Sequence, residues 1–429
     1  MIFLAIFALL LALGTPVLVT LLAATVTGFL TLQQGGDYVA LIPQKLFNGV
    51  ASYNMLALPF FLLAGEIMGR GRLTERLFDL AEILVGWSRG GLAQINTLVC
   101  VMFASLTGSA AASMAAVGSL MIPAMTQRGY PKMFVIGLTA AGAVLGPIIP
   151  PSIIMIIYGS IMGVNVGAMF AAGVLPGLLI AALMLLANRH FARVHSFPVS
   201  QTRYSLADVR RALRKAALPL LTPIIILGGI FSGLCTPTEA SALAVLYSLI
   251  LTCFVFKTVK LNEVPQLIFN CGTIIGAVFL LVGAAAALSW FLTITEVPAT
   301  FSEYLATITT NRRALMLILV VLVLAVGTVM DTMGGVLVLC PALVPPLIAA
   351  GADPIHLGIV VSVGFAIGTV TPPFGFVLFV ASSMTKEKPE KIARANLPYL
   401  GIQLAALLLI ALVPEITLFL PRLMGFIMD

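Results

Sequence analysis

The chain has 429 residues, 60% hydrophobic and only 9% charged, with a mean hydropathy of +1.13; this excludes a soluble globular protein, because no charged surface is available to cover so large a core. The net charge of +7 and pI near 9.3 do not point to nucleic acid, since the basic residues sit in loops between apolar runs, as the positive-inside bias requires. Runs of roughly 20 apolar residues, enough to cross about 30 Å of hydrocarbon, fit about nine times, so the chain reads as an all-α polytopic protein of a lipid bilayer.

Residues 1–30 read as the first span with Pro16 as a kink, and the lack of a basic residue ahead of this apolar run argues against a cleaved signal peptide. A short polar connection over 31–48, holding Asp37 and Lys45, leads to a second span over 50–69. Within 71–90, Leu73, Leu77, Leu80 and Leu84 recur on one helical face while Arg72, Glu75, Arg76, Asp79 and Glu82 fill the other, which predicts an amphipathic interfacial arm. Residues 90–127 then run for 38 positions without a charge. That is too long for one span and short for two, so 91–127 is expected to be a re-entrant hairpin, its tip at LTGSAAAS (106–113) near mid-membrane.

The next apolar run, 133–160, carries Pro147, Pro150 and Pro151. Proline removes a backbone donor and clashes with the carbonyl four residues back, so no unbroken helix crosses there. Orphaned backbone groups cost several kcal/mol each in hydrocarbon, and such a break survives only where it is buried in protein or lines a wet site. A span over 165–187, a basic connection over 188–216, two spans over 217–234 and 238–256 joined by SGLCTPTEAS, and a span over 264–290 follow. A second amphipathic arm lies within 291–311, with Phe301, Tyr304, Leu305 and Ile308 on one face. Residues 314–352 read as a second hairpin whose only charge is Asp331, 356–382 as a second broken helix through TPPFG, and 396–420 as the last span. The five cysteines lie in or at the edges of apolar runs with no C-x-x-C pair, as buried hydrophobes do.

The second half repeats the first. An offset of 222 residues pairs Pro150 with Pro372, Pro151 with Pro373, Gly146 with Gly368, Gly142 with Gly364, Pro123 with Pro345, Gly129 with Gly351, and Ser109 with Asp331. With a cytoplasmic N-terminus, 19 of the 23 Lys and Arg residues face the cytoplasm, the first hairpin opens from inside and the second from outside. The halves are then an inverted repeat and the C-terminus is periplasmic.

No nucleophile elbow, H-E-x-x-H or phosphate-binding loop is present, which disfavours an enzyme or an ATP-driven pump. A secondary transporter needs two related gates around one site. Broken helices offer freed carbonyls and hydroxyls to a small cation and half-helix N-termini to an anion. In the first half these are Ser105, Thr107, Gly108 and Ser109 against Gly146 and Pro147; in the second, Gly327, Thr328 and Asp331 against Gly368, Thr369 and Thr371. A lone hydroxyl more often bonds its own helix; placement at both breaks favours function. Asp331 admits two readings, an intramembrane functional acid or the cap of a helix start. Glu239 belongs to a capping box in Thr236-Pro237-Thr238-Glu239.

TGSAAASMAAVGSLMIPAM, RGY followed by AAGAVLGPIIPPSIIMIIYG, the turn TPTEA and the closing TPPFG together resemble the large membrane subunit of tripartite ATP-independent periplasmic (TRAP) transporters over nearly the whole chain. The resemblance implies Na+ as coupling ion, an organic-acid substrate handed over by a periplasmic substrate-binding protein, and a separate small four-helix membrane subunit as partner. It also implies an ion-transporter-superfamily-like elevator, in which a transport domain (91–187 and 312–425) moves within a scaffold (1–70 and 217–290) on the arms 71–90 and 291–311. The two oxygen sets become sodium sites, and the substrate is expected near Ser109, Ala110, Pro150, Pro151, Pro372 and Pro373. Many dicarboxylate members carry Gly-Pro at the first tip where this chain has Ser109-Ala110. A sialic-acid-type importer in the bacterial inner membrane is therefore favoured over a C4-dicarboxylate or other organic-acid importer; a non-transporting scaffold subunit is the alternative of a different class.

Overall fold

The computed structural model describes residues 2–33, 35–71, 73–194, 197, 205–309 and 311–427. The elements among them are helical: α1 (Ile2–Ala12), α2 (Val17–Leu30), α3 (Gly35–Val50), α4 (Ala57–Arg70), α5 (Leu73–Val85), α6 (Gly91–Thr107), α7 (Ala110–Gln127), α8 (Lys132–Ala143), α9 (Ile153–Met162) and α10 (Val166–Val194) in the first half. The rest are α11 (Leu206–Phe231), α12 (Pro237–Leu249), α13 (Val264–Ile294), α14 (Val297–Ile308), α15 (Arg312–Gly327), α16 (Thr332–Ala349), α17 (Pro354–Gly368), α18 (Phe376–Thr385), α19 (Pro389–Leu412) and α20 (Glu415–Leu423), with a π turn over Ile250–Val255 extending α12. Among the described residues six helices are long and apolar enough to cross a membrane, seven if α3 and α4, bent by 61° at their junction, count as one.

The repeat is visible in the backbone. Both Pro150–Pro151 and Pro372–Pro373 are cis, and Gly129 and Gly351, also 222 apart, take φ of +86° and +85°. Each hairpin is two helices with a short tip, α6–α7 and α15–α16, and each broken helix is two short helices around a proline turn, α8–α9 and α17–α18.

Four parts of the chain differ from expectation. The kink at Pro16 is a full break, because Gly14 adopts φ +73° and Pro16 starts a new helix. The polar connection 31–48 is the helix α3: Ile42 is buried and Gly49 lies so close to α13 that a Cβ there would meet that of Ala286 at 2.4 Å. Lys45, read as a loop charge, sits over the Trp290 ring at 5.0 Å. The basic connection 188–216 is largely helical, α10 running to Val194 and α11 starting at Leu206 behind a capping box of Ser205 and Asp208. The last span begins earlier, at Pro389, and ends at Leu412, with α20 a separate helix behind Pro414.

The arm α5 is packed against protein. Leu77 and Leu80 are buried whereas Leu84 is exposed, and the helix lies on α6 and α11. Its polar face carries Asp79 3.3 Å from Lys215, Glu82 3.6 Å from Arg128, and Arg76 over Phe256 at 3.6 Å. Arg72 and the side chains of Leu73, Phe301, Tyr304, Leu305 and Ile308 lie outside the described residues, so the apolar face expected of α14 does too. At the same end Lys132 donates to Glu387 at 2.7 Å and holds that carboxyl below the usual range. Basic loops distant in sequence thus gather at one end of the molecule.

Candidate functional site

Each hairpin tip touches a proline break through glycine. A Cβ on Gly108 would stand 2.8 Å from the Pro151 carbonyl oxygen, and one on Gly146 would stand 2.6 Å from that of Ser109. In the second half a Cβ on Gly368 would meet the Gly327 Cα and carbonyl carbon at 2.7 Å. These are backbone-on-backbone contacts that a side chain would prevent. The second-half tip is also tied to its break directly, the Gly375 amide donating to the Thr328 carbonyl at 2.9 Å, while the Val377 amide donates to the Thr369 carbonyl at 3.0 Å across the break itself. The structure therefore brings Gly108 and Ser109 together with Gly146, and Gly327 and Thr328 together with Gly368 and its break.

The hydroxyls hold a common pose. Ser105 donates to the Met102 carbonyl (2.7 Å), Thr107 to Phe103 (3.3 Å), Thr328 to Ala325 (2.7 Å), Thr369 to Ala366 (2.6 Å) and Thr371 to Ile367 (2.8 Å). Each bond spends the single hydroxyl hydrogen and leaves oxygen lone pairs, the donor set a hard cation takes. Ser152, which the sequence reading passed over, donates to the Pro147 carbonyl at 2.6 Å across the turn, so that oxygen is already engaged.

Ser109 and Asp331, equivalent in the repeat, both cap the second helix of their hairpin. The Ser109 hydroxyl accepts from the Ala112 amide (3.4 Å), and the Asp331 carboxylate from the Met333 (3.2 Å) and Gly334 (3.3 Å) amides. The bonds Asp331 makes are those of a helix cap. Glu239 completes its capping box, accepting from the Thr236 amide at 2.8 Å and from the Thr236 hydroxyl at 2.9 Å.

Between the first tip and the facing helices lies a cavity of about 480 Å³, lined by Thr107, Ser109 and Ala112 of the hairpin, Glu66 and Arg70 of α4, and Met333 of α16. Ser109 opens into it, and Met333, two residues beyond Asp331, brings the second hairpin to the same space. Pro150, Pro151, Pro372 and Pro373, expected near substrate, are not among its lining residues; Pro151 instead backs the first tip behind Gly108.

Behind the breaks runs a polar network the sequence reading missed. On one face of α19, the Asn396 amide donates to the Val370 carbonyl (3.2 Å), the Tyr399 hydroxyl to Asn188 (2.6 Å), and the Gln403 amide to the Ala141 carbonyl (2.8 Å). α19 thus holds α8 just before the first break and the turn after α17. Isolated amides in apolar runs were the available signal.

Two duplicated helix breaks, each closed by a hairpin tip, in a multi-spanning chain whose described elements are helical are the architecture of a membrane permease. The chain matches the family described as tripartite ATP-independent periplasmic transporter, DctM component, over residues 4–416, and belongs to it. It is 38% identical over 389 residues to a C4-dicarboxylate TRAP transporter large permease protein of Pseudomonas aeruginosa, covering 91% of each chain. It is 34% identical over 394 residues to a sialic acid TRAP transporter large permease protein of Vibrio cholerae, covering 92% of this chain and 91% of that one. It is also 37% identical over 414 residues to an isethionate TRAP transporter permease of Oleidesulfovibrio alaskensis; the match takes in 96% of this chain but spans only 65% of that protein's length. In fold it resembles the YdaH transporter of Alcanivorax borkumensis, with a TM-score of 0.65 at 15% identity over 92% of this chain and 90% of the other. The protein is a TRAP large permease subunit of an organic-acid transporter, not an enzyme. Subunits of this family work with a small membrane subunit and a periplasmic binding protein.

Proposed function

We propose that this chain uses sodium to drive uptake of a carboxylate-bearing organic acid, held in the inner membrane with its N-terminus cytoplasmic and C-terminus periplasmic. One Na+ sits at Ser105, Thr107, Gly108, Ser109 and Gly146, with Pro147 behind; a second sits at Gly327, Thr328, Gly368, Thr369 and Thr371, with Asp331 holding the helix start beside it. The observation that carries this reading is the duplicated approach of hairpin tip to proline break, in which glycine backbones close to contact and neighbouring hydroxyls, their hydrogens donated to their own helix, keep lone pairs for a cation. A cation bridging tip and break would close the hairpin over substrate and couple the two events. The hairpins and breaks form the moving body of an elevator, 91–187 with 312–425, against the scaffold 1–70 and 217–290. Sialic acid is the favoured substrate, on the Ser109-Ala110 tip and the relative named for it; the relative named for C4-dicarboxylates keeps that class as the second reading.

The test is uptake into vesicles containing this chain with its small subunit and binding protein. Accumulation is expected with an inward sodium gradient and not when potassium replaces sodium. Full uptake in potassium without a proton gradient overturns sodium coupling. No uptake of any acid under any gradient favours a scaffold subunit.

A further inference from the structure

Glu66 and Arg70 are the charged residues lining the cavity at the first hairpin tip, and neither belongs to the oxygen sets assigned to sodium. They lie one turn apart on α4, with Gly65 and Gly69 beside them lining the same wall. Glycine at these positions leaves the space that a side chain would fill, and opposite stand Ala112, Ala115 and Ala116 of α7. The Arg70 guanidinium meets Glu66 through a single Nε–Oε1 contact of 3.4 Å, with 61% of its side chain exposed. Such a pair is weak. Its terminal amino groups make no hydrogen bond among the described residues, so the planar fork that matches a carboxylate remains open.

We propose that Arg70 receives the substrate carboxylate on the α4 wall of this cavity and that Glu66 accepts hydrogen bonds from substrate hydroxyls, which makes the pair the reader of acid class. This rests on the uptake reading above. One cation and one anion leave the lining without net charge, so a second substrate carboxylate would lie against Glu66 with no partner of its own. A hydroxylated monocarboxylate meets no such penalty: its carboxylate takes the Arg70 fork, its hydroxyls reach Glu66 at one end and Ser109 at the other. The room of about 480 Å³ accepts a sugar-acid skeleton with water around it.

The test uses the purified complex of this chain with its small subunit, in sodium, with D-gluconate and succinate as probes and thermal stabilisation as readout, since ligand binding raises the midpoint in proportion to ln(1 + [L]/Kd). D-gluconate is expected to stabilise the native complex and succinate to do so at least tenfold more weakly. Arg70→Gln should weaken gluconate at least tenfold, Arg70→Lys should fall between, and Glu66→Gln should strengthen succinate. Equal gluconate binding by native and Arg70→Gln complexes, or preference of the native complex for succinate, overturns the proposal. Sodium alone should stabilise all four complexes equally. Loss of that response in the native complex would strike the sodium reading, whereas its retention with no acid preference would strike only the role of Arg70 and Glu66.

Discussion

Replacing Gly368 by alanine tests whether the proposed sodium site is built by backbone approach. The added Cβ would stand 2.7 Å from the Gly327 Cα and carbonyl carbon, where ordinary contact begins at 3.4 Å. The obstacle is backbone, so it cannot rotate away, and the tip must retreat by about 0.7 Å, whereas coordination distances hold to within about 0.2 Å. A site opened this far loses oxygens from the shell. The sodium concentration giving half-maximal stabilisation or uptake should rise at least tenfold, equivalent to about 1.4 kcal/mol. Gly401→Ala on α19, where a new Cβ meets nothing within 4 Å, is the control; it alters helix propensity by at most about 1 kcal/mol and should leave the sodium midpoint in place. The assay is sodium-dependent thermal stabilisation of the purified complex, followed by uptake at graded sodium. A folded Gly368→Ala protein with the native sodium midpoint refutes the idea that tip-to-break contact forms the site.

Ser109→Ala and Thr371→Ala should each raise the sodium requirement for uptake, whereas Ser248→Ala, whose hydroxyl donates to Ala244 deep in α12, should not; equal sodium dependence in all three would leave the tips structural only. Ser109→Ala should also lose a helix cap worth about 1 kcal/mol, visible as a lower unfolding midpoint without sodium. In a background lacking Cys100, Cys235, Cys253, Cys271 and Cys340, a disulfide between cysteines at 167 and 230 should stop uptake and its reduction restore it, because a Cβ on Gly167 would stand 3.0 Å from Ile230 and the pair joins the proposed moving body to the scaffold. A crosslink between cysteines at 132 and 387, both in the proposed moving body, should be tolerated; undiminished uptake with 167 and 230 joined rules out the elevator. Gln403→Leu removes a donor from the Ala141 carbonyl at the first break and should cost about 1–3 kcal/mol in denaturant unfolding; a neutral result would mean that α19 does not brace the break.

The duplicated breaks were legible because proline and glycine act locally: no partner is needed for Pro150-Pro151 or Pro372-Pro373 to stop a helix, and the 222-residue spacing exposed the repeat. The Thr236–Glu239 capping box was equally local. The helix α3 was not legible, since its Gly-Gly-Asp start and Lys45 read as loop until α13 supplies a groove for Gly49 and Trp290 covers Lys45. The α10–α11 connection misled in the same way, because arginines and lysines mark a membrane boundary without ending a helix. Arg70 and Glu66, at the end of the span over 50–69, carry no motif that singles them out; only the fold sets them across from Ser109. Asp331 shows the converse, a residue whose rarity in an apolar segment pointed to chemistry and whose bonds are those of a cap.

Two sodium ions entering with one monocarboxylate carry one net positive charge inward, so the most direct test of the paired sites is the response of uptake to membrane potential. Vesicles holding the full complex, with a fixed sodium gradient and a potassium diffusion potential imposed through valinomycin, report it as the final accumulation ratio of the acid supplied by the binding protein. One charge gains about 2.3 kcal/mol per 100 mV, so an inside-negative potential of 100 mV should raise accumulation about 50-fold. Accumulation that needs sodium yet ignores the potential would mean a single ion per acid, and would contradict a coupled site at each of the two breaks.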